Sequence, residues 1–367
     1  MIPDRGLLPH IDWRLIGAVV GLALIGIATI YSVTWDARLG QPGREFWAQL
    51  YALPVALVAM AVCMSIDYRS LAQRSLFIYA ALAVMLVAVA FFGVTRNGSR
   101  RWIPLGGGFS LQPSEFARMA VALVLAGFYS EGRTARSLRD IVIGGLIVGL
   151  PFLLILRQPD FGTAAMLVPV FAGVLYLSGL PLRWIAVALT VGLLSSPVVF
   201  MYGLKPYQRE RIETFVNPEL DPRGDGYQQI QAKIAVGSGG FVGKGFQEGT
   251  QGRNGFLPEA HNDFVFSVYA EEHGFLGVLV AIGLYFLVIG RSLQAARLAR
   301  DQLGALLVVG LVAGFGCQVL YNITMSAGLA PVKGLTLPLM SYGGSSLVAT
   351  FAAFGLILNV RMRRFTN

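Results

Sequence analysis

Glu259, His261 and Asp263 fall within eleven residues, Phe256-Leu257-Pro258-Glu259-Ala260-His261-Asn262-Asp263-Phe264-Val265-Phe266, at the end of a long polar segment, 203–263. The apolar run that starts at Phe264 follows at once. A carboxylate at such a border costs desolvation energy, so it usually has a function there. Two readings of Asp263 stand open: it caps the helix that begins at Phe264, or it serves as the acid or base of a reaction. A second set of residues is cationic. Arg96, Arg100 and Arg101 share one short loop with Trp102. An Arg/Trp pair suits the headgroup depth of a membrane, while guanidinium forks also match phosphate oxygens. Glu115 and Arg118 lie three apart and so share a helix face, as a plain ion pair or as the wall of a cavity. Asp160, in Arg157-Gln158-Pro159-Asp160, is a helix cap or one more carboxylate of that cavity. Tyr207-Gln208-Arg209-Glu210-Arg211 places three charges in succession.

Other patterns carry less chemistry. Gly237-Ser238-Gly239-Gly240-Phe241-Val242-Gly243-Lys244-Gly245 resembles a phosphate-cradling loop, but no Ser or Thr follows Lys244 and the Walker pattern fails. It reads as a flexible turn whose backbone N–H groups are free to meet an anion. His261-x-Asp263 and Glu271-Glu272-His273 lack zinc spacing. Cys63 and Cys317 each sit in an apolar segment and read as packing residues.

These groups must be positioned by a membrane protein. The 367 residues are 55% hydrophobic and 13% charged, against roughly 25% charged in a soluble domain. The fold class expected is an all-α polytopic membrane protein, a single domain over 1–367. Runs near 20 apolar residues mark ten spans: 14–33, 46–66, 75–95, 113–130, 141–156, 160–178, 183–202, 264–290, 303–327 and 338–360. The fifth is short and carries Pro151, so a bend is expected there. Residues 1–33 show no small-residue cleavage site, and the first run reads as a span. No internal repeat points to a secondary transporter. With the N-terminus inside, the inner loops hold fourteen cations and the short outer loops seven (Arg38, Arg44, Arg96, Arg100, Arg101, Arg157 and Lys333). That bias predicts both termini in the cytoplasm and the large loop 203–263 outside, between helices 7 and 8. Within the loop, Gln228 to Val236 has helical spacing and suits the interface plane. The net charge of +9 points to anionic lipid or an anionic substrate, not nucleic acid.

Taken together, the motifs resemble the SEDS family (shape, elongation, division and sporulation). The resembling stretches are Arg101-Trp102-Ile103-Pro104, Gln112-Pro113-Ser114-Glu115, Gln158-Pro159-Asp160-Phe161-Gly162-Thr163, Tyr207-Gln208-Arg209, Ile234–Gly240, Phe256–Phe264 and Pro338–Ser346. Gly249-Thr250-Gln251 resembles the elongation branch and Lys333–Pro338 the division branch, and the balance favours elongation. The resemblance implies a ten-helix fold and a glycosyltransferase that polymerises lipid II into peptidoglycan at the outer face of a bacterial cell membrane. It implies a class B penicillin-binding protein and other elongation-complex membrane proteins as partners. It implies a catalytic role for Asp263. Two positions depart from the family pattern: Asn262 replaces a usual Thr, and Arg118 a common Lys. Guanidinium stays protonated, so Arg118 acts electrostatically and never as a neutral base.

The implied chemistry suits these residues. A sugar bearing a lipid diphosphate already has a good leaving group. Transfer then needs one base for the incoming hydroxyl and cations for the departing diphosphate, without the second acid of a glycosidase. Asp263 is expected as that base, and Arg101, Arg118 and Arg211 as diphosphate binders. Glu115 and Asp160 shape the cavity or hold a divalent cation, Mg²⁺ or Mn²⁺. Gln208 and His261 complete the substrate-binding set. A lipid II flippase would need a similar cavity but no base at Asp263. A bare scaffold would need none of these groups.

Overall fold

The computed structural model describes residues 8–36, 38–96, 99–106, 109–203, 206–221, 224–253 and 255–365. The first half of the chain forms helices α1 (Trp13–Thr34), α2 (Arg44–Ser65), α3 (Tyr68–Gln73), α4 (Ser75–Phe92), α5 (Ala117–Ser130) and α6 (Leu138–Leu156). Next come α7 (Phe161–Ala165), α8 (Leu167–Leu177), α9 (Leu182–Val198), α10 (Pro206–Val216), α11 (Asp225–Ser238) and α12 (Thr250–Arg253). The chain closes with α13 (Val265–Arg297), α14 (Gln302–Ser326) and α15 (Gly344–Met362). Among the described residues seven helices, α1, α2, α4, α6, α13, α14 and α15, are long and apolar enough to cross a membrane. The run α7–α8 and α9 are apolar but shorter. A 3₁₀ turn, Pro113–Phe116, extends α5 at its start.

Several expected spans are corrected in detail. Helix α6 begins at Leu138, with Ser137 at its cap, and continues through Pro151. The expected span 160–178 splits between Ala165 and Leu167. The expected span 338–360 starts only at Gly344. Before it, Leu339 and Gly343 hold positive φ angles of 73° and 156°, and the stretch cannot be helical. Helix α13 is two helices merged across Gly274 (φ 61°). A Cβ at Gly274 would lie 2.2 Å from the backbone nitrogen of Gly243, so only glycine lets the two segments touch there.

The chain is not wholly helical. β1 (Trp35–Asp36) pairs antiparallel with β2 (Gln41–Pro42), and β3 (Val94–Arg96), β4 (Ser99–Gly106) and β5 (Phe109–Leu111) form a three-stranded antiparallel sheet. Arg101 rides on β4, on a pleated surface in place of the expected loop. Within the long polar segment, α11 packs on α13 and α14, burying Gln229, Ala232 and Ala235. One face of the stretch expected in the interface plane therefore meets protein.

The bundle core is built by α15 against α2, by α14 against α5 and α8, and by α13 between α1 and α14. Helix α9 stands apart. Leu193 and Leu194 are each 73% exposed, and a helix that is apolar all round belongs in lipid.

Ionic ties hold one end of the bundle. The Asp12 carboxylate caps α1 and accepts bonds from Arg291 on α13 (2.9 Å) and Arg361 on α15 (2.8 Å). Asp301 caps α14 and accepts from Tyr68 (2.8 Å), Arg69 (2.8 Å) and the Gly304 amide (2.8 Å). Burial alone would raise both carboxyls. For Asp12 the bond from Arg291 and the charge of Arg361 outweigh it; for Asp301 the bonds from Gly304, Tyr68 and Arg69 do. Both therefore sit below the usual carboxylate value of about 4. Their stabilisation is complete above that value and is lost as pH falls through the lowered folded-state values. Thermal unfolding of the purified protein should be flat in these contributions from pH 7 to about 5 and drop below about pH 4. Asp12→Asn should lower stability at neutral pH and make the acid drop shallower. An acid drop unchanged in Asp12→Asn would rule the Asp12 cluster out as its source.

Candidate active site

At the opposite end, Asp160 is the hub of a polar cluster. Its carboxylate caps α7 through the Thr163 amide (3.1 Å) and accepts from the Thr163 hydroxyl (3.0 Å), from Gln112 (3.2 Å) and from Arg101 (3.2 Å). The cap reading of Asp160 holds, and the same carboxylate also takes bonds from Gln112 and Arg101. The Arg101 guanidinium also lies over the Trp102 ring at 4.5 Å, a cation–π contact that fixes its plane. Arg100 points elsewhere. Its three guanidinium nitrogens donate to Gly93, Ala90 and Phe91 carbonyls, so it caps the end of α4. The Arg96 side chain lies outside the described residues.

A second cluster centres on Arg118. It pairs with Glu115 at 3.2 Å and donates to Gln318 on α14. Gln318 donates in turn to the Thr336 carbonyl at 2.9 Å. One turn further along α14, the buried Asn322 donates to the backbone carbonyls of Asp263 (2.9 Å) and Leu335 (2.6 Å). A cavity of about 30 Å³ lies beside Glu115 and Arg118, walled by Leu311, Phe315 and Phe354.

A non-helical strap, 331–343, joins these clusters to Asp263. Its Lys333 ammonium lies 4.1 Å from the Phe161 ring centroid, just after Asp160. Gly162 sits against the strap so closely that a Cβ there would meet Leu335 at 2.8 Å. On the other side, a Cβ at Gly334 (φ 60°) would lie 3.6 Å from Asp263 Oδ2. The strap is pinned further along. Tyr285 donates to the Pro338 carbonyl (2.6 Å), Gln49 brackets Ser341 and Gly343, and the Tyr342 amide donates to His261 (3.0 Å). The His261 and Tyr342 rings meet edge-on at 5.6 Å. Ser345 then links to the Arg101 sheet through the Ser110 carbonyl and the Gln112 amide, both at 3.0 Å. The strap thus touches Asp263, His261, Phe161 and Gly162 directly, and Gln318 ties it to the Arg118–Glu115 pair.

Asp263 is not the cap of α13. Phe264 occupies the cap position, with no side-chain capping bond, and the helix begins at Val265. Asp263 is 9% exposed, at the edge of the buried region.

The model of the FTSW_RODA_SPOVE family, described as cell cycle protein, matches residues 11–365. The chain belongs to the SEDS family. It is 38% identical over 355 residues to the peptidoglycan glycosyltransferase MrdB of Escherichia coli (strain K12), covering 97% of this chain and 94% of that one. It is 40% identical over 364 residues to a probable peptidoglycan glycosyltransferase FtsW of Trichlorobacter lovleyi, covering 96% and 93%. Among solved structures, a chain of a peptidoglycan synthase complex that coordinates polymerization and crosslinking superposes with a TM-score of 0.82 at 34% identity, covering 97% of this chain and 99% of that one. The rod shape determining protein RodA of Thermus thermophilus gives a TM-score of 0.72 at 30% identity, covering 97% and 98%. This SEDS protein is accordingly a multi-pass membrane enzyme of the peptidoglycan glycosyltransferase class.

Within the SEDS frame, some expected site residues are placed and others are not. Gln208 and Arg211 fall on α10, and their side chains lie outside the described residues. Arg209, beside them, donates to the Met201 carbonyl at 2.6 Å. The glycine-rich stretch 237–245 is no anion cradle. The amides of Gly243, Lys244 and Gly245 donate to carbonyls of Gly239, Glu271 and Glu272, and the Lys244 ammonium pairs with Glu271 at 2.6 Å. The stretch is a clasp closed on the broken start of α13.

The carboxylates expected to hold a divalent cation, Glu115 and Asp160, each pair with an arginine. Among the described residues no three His, Cys, Asp or Glu side chains converge. Asp160 already takes four donors and Glu115 pairs with Arg118. Gln318 and Asn322, which tie the strap to Arg118 and to the Asp263 backbone, are residues that sequence reasoning missed. Their signal was present: two amides four apart, hence on one face, inside an apolar span.

Proposed function

We propose that this SEDS protein polymerises lipid II into glycan strands at the outer face of the cytoplasmic membrane, in cell elongation. The observation that supports the reading is the strap, which brings Gly334 against the Asp263 carboxylate and Leu335 against Gly162, two residues after Asp160. In the proposed step Asp263 accepts the proton of the incoming sugar hydroxyl. That oxygen bonds to the anomeric carbon of the strand, and the bond from that carbon to the diphosphate breaks, the electron pair leaving with the phosphate. Arg101, held flat by Trp102, meets the departing charge, with Arg211 as a second donor. Arg118, partly exposed, supplies positive potential and positions the strap through Gln318. Asp160, Glu115, Gln208 and His261 shape the sugar and diphosphate sites.

The same reading gives ten spans, with Pro113–Ser130, the run α7–α8 and α9 added to the seven long helices. Both termini then face the cytoplasm, as the arginine-rich Asp12 end favours. A class B penicillin-binding protein is the proposed partner, supported by the likeness to a synthase complex that couples polymerization with crosslinking. Purification with that partner, followed by lipid II in detergent, tests the activity. Strands should form without a membrane potential or sidedness, which a flippase alone would not give. If no strands form from a folded complex, the polymerase reading fails.

Arg101 provides a finer test. Arg101→Ala should slow turnover about 10- to 100-fold, the loss of one charge-assisted bond of about 1.5–3 kcal/mol. Arg101→Lys should recover only part, because the fork and its stacking plane are lost. Wild-type turnover by Arg101→Ala would remove the residue from the diphosphate site.

A further inference from the structure

At the Asp12 end a polar cavity of about 290 Å³ opens between the start of α1 and the ends of α13 and α15. Its lining includes Arg14, Arg291, Arg361 and Arg364, together with Asp12 and His10. Among the described lining residues four guanidinium groups face one carboxylate, a formal charge of +3 from arginine and aspartate (four minus one). Arg291 and Arg361 both converge on the same Asp12 oxygen, at 2.9 and 2.8 Å, and are thereby fixed in place. The active-site clusters lie at the other end of α13, so the proposed polymerisation uses none of these groups. Trp13, the first residue of α1, also lines the cavity and is 68% exposed. A tryptophan at a helix end marks the headgroup level of a bilayer.

We propose that this cavity binds the phosphate of an anionic phospholipid headgroup, with the acyl chains lying along the outer surface of α1 near Trp13. The chemistry follows from the excess charge. Guanidinium groups held close together repel one another, and a phosphate oxygen accepts bonds from several of them at once. A headgroup fits the volume, and basic pockets between spanning helices suit such lipids. A soluble phosphate would satisfy the same forks, but it would gain nothing from the exposed apolar surface at the cavity mouth.

The full-length protein in neutral detergent would be titrated with short-chain phosphatidylglycerol, short-chain phosphatidylcholine and inorganic phosphate, following retained lipid by native mass spectrometry and thermal unfolding. Phosphatidylglycerol should bind at least about tenfold more tightly than phosphatidylcholine and raise the unfolding temperature. Inorganic phosphate at the same concentration should produce no shift. Arg14→Gln with Arg364→Gln, which spares the two arginines bonded to Asp12, should remove that preference. Arg14→Lys with Arg364→Lys should keep most of it, which separates charge from folding damage. Equal retention of the two lipids, or a preference untouched by the Gln pair, would overturn the proposal. A shift with inorganic phosphate as large as with phosphatidylglycerol would overturn the lipid assignment.

Discussion

Asp263→Asn is expected to fold, pack and bind its partner as the wild type does, while glycan polymerisation falls by about 10²–10⁴-fold, the usual cost of losing a general base. The exchange keeps the side chain's size and one carbonyl oxygen, and removes the ability to take up a proton. A helix cap would tolerate it, since Asn and Asp cap about equally well. The structure makes that alternative weaker still, because the cap position of α13 belongs to Phe264. The tie from Asn322 reaches the backbone carbonyl of Asp263, which the substitution leaves in place. Full activity from a well-folded Asp263→Asn protein would end the general-base role. Glu259→Gln is the control: Glu259 sits in the preceding turn with φ 52°, and a milder loss is expected.

Asn322→Leu is expected to damage both stability and activity. One buried amide donates to two buried carbonyls, those of Asp263 and Leu335. Leucine fills similar space but leaves both acceptors without that donor, at about 1–3 kcal/mol for each buried acceptor left unmade. Asp263 and the strap would then lose their shared anchor, and a misplaced base costs rate even where substrate still binds. The unfolding temperature should drop, and in the fraction that remains folded kcat should fall more than KM rises. Asn322→Asp, which keeps the shape but lacks the donor, should behave similarly. If Asn322→Leu lowered stability with kcat unchanged, the residue would be a packing element and not a positioning one.

The spans were legible because their signal is local. An apolar run near 20 residues needs no partner to be read, and α1, α2, α4 and α14 lie close to where hydropathy placed them. The Glu115–Arg118 pair was legible for the same reason, as a three-residue spacing on one face. The strap was not. Its apolar residues Leu335, Leu337, Leu339 and Met340 are buried like those of a helix, and the backbone departs from helix only through contacts with Gln49, Tyr285 and Asn322, all distant in sequence. The clasp at 237–245 misled for a related reason. A glycine-rich loop looks free to bind an anion until the carbonyls of Glu271 and Glu272 are seen to take its amides. The arginine sheet hid its strands because Pro104 and the glycines around it interrupt any alternation.

Lipid II binding and strand formation, recorded on the same detergent-purified samples of wild type and Asp263→Asn, would test the central claim most directly. The general-base account requires wild type to bind lipid II and build strands, and Asp263→Asn to bind with affinity within about twofold of wild type while building strands at least about 100-fold more slowly, since a base acts in the transition state and not in ground-state binding. Strands made by Asp263→Asn at close to the wild-type rate, or lipid II affinity lost in step with turnover, would contradict it.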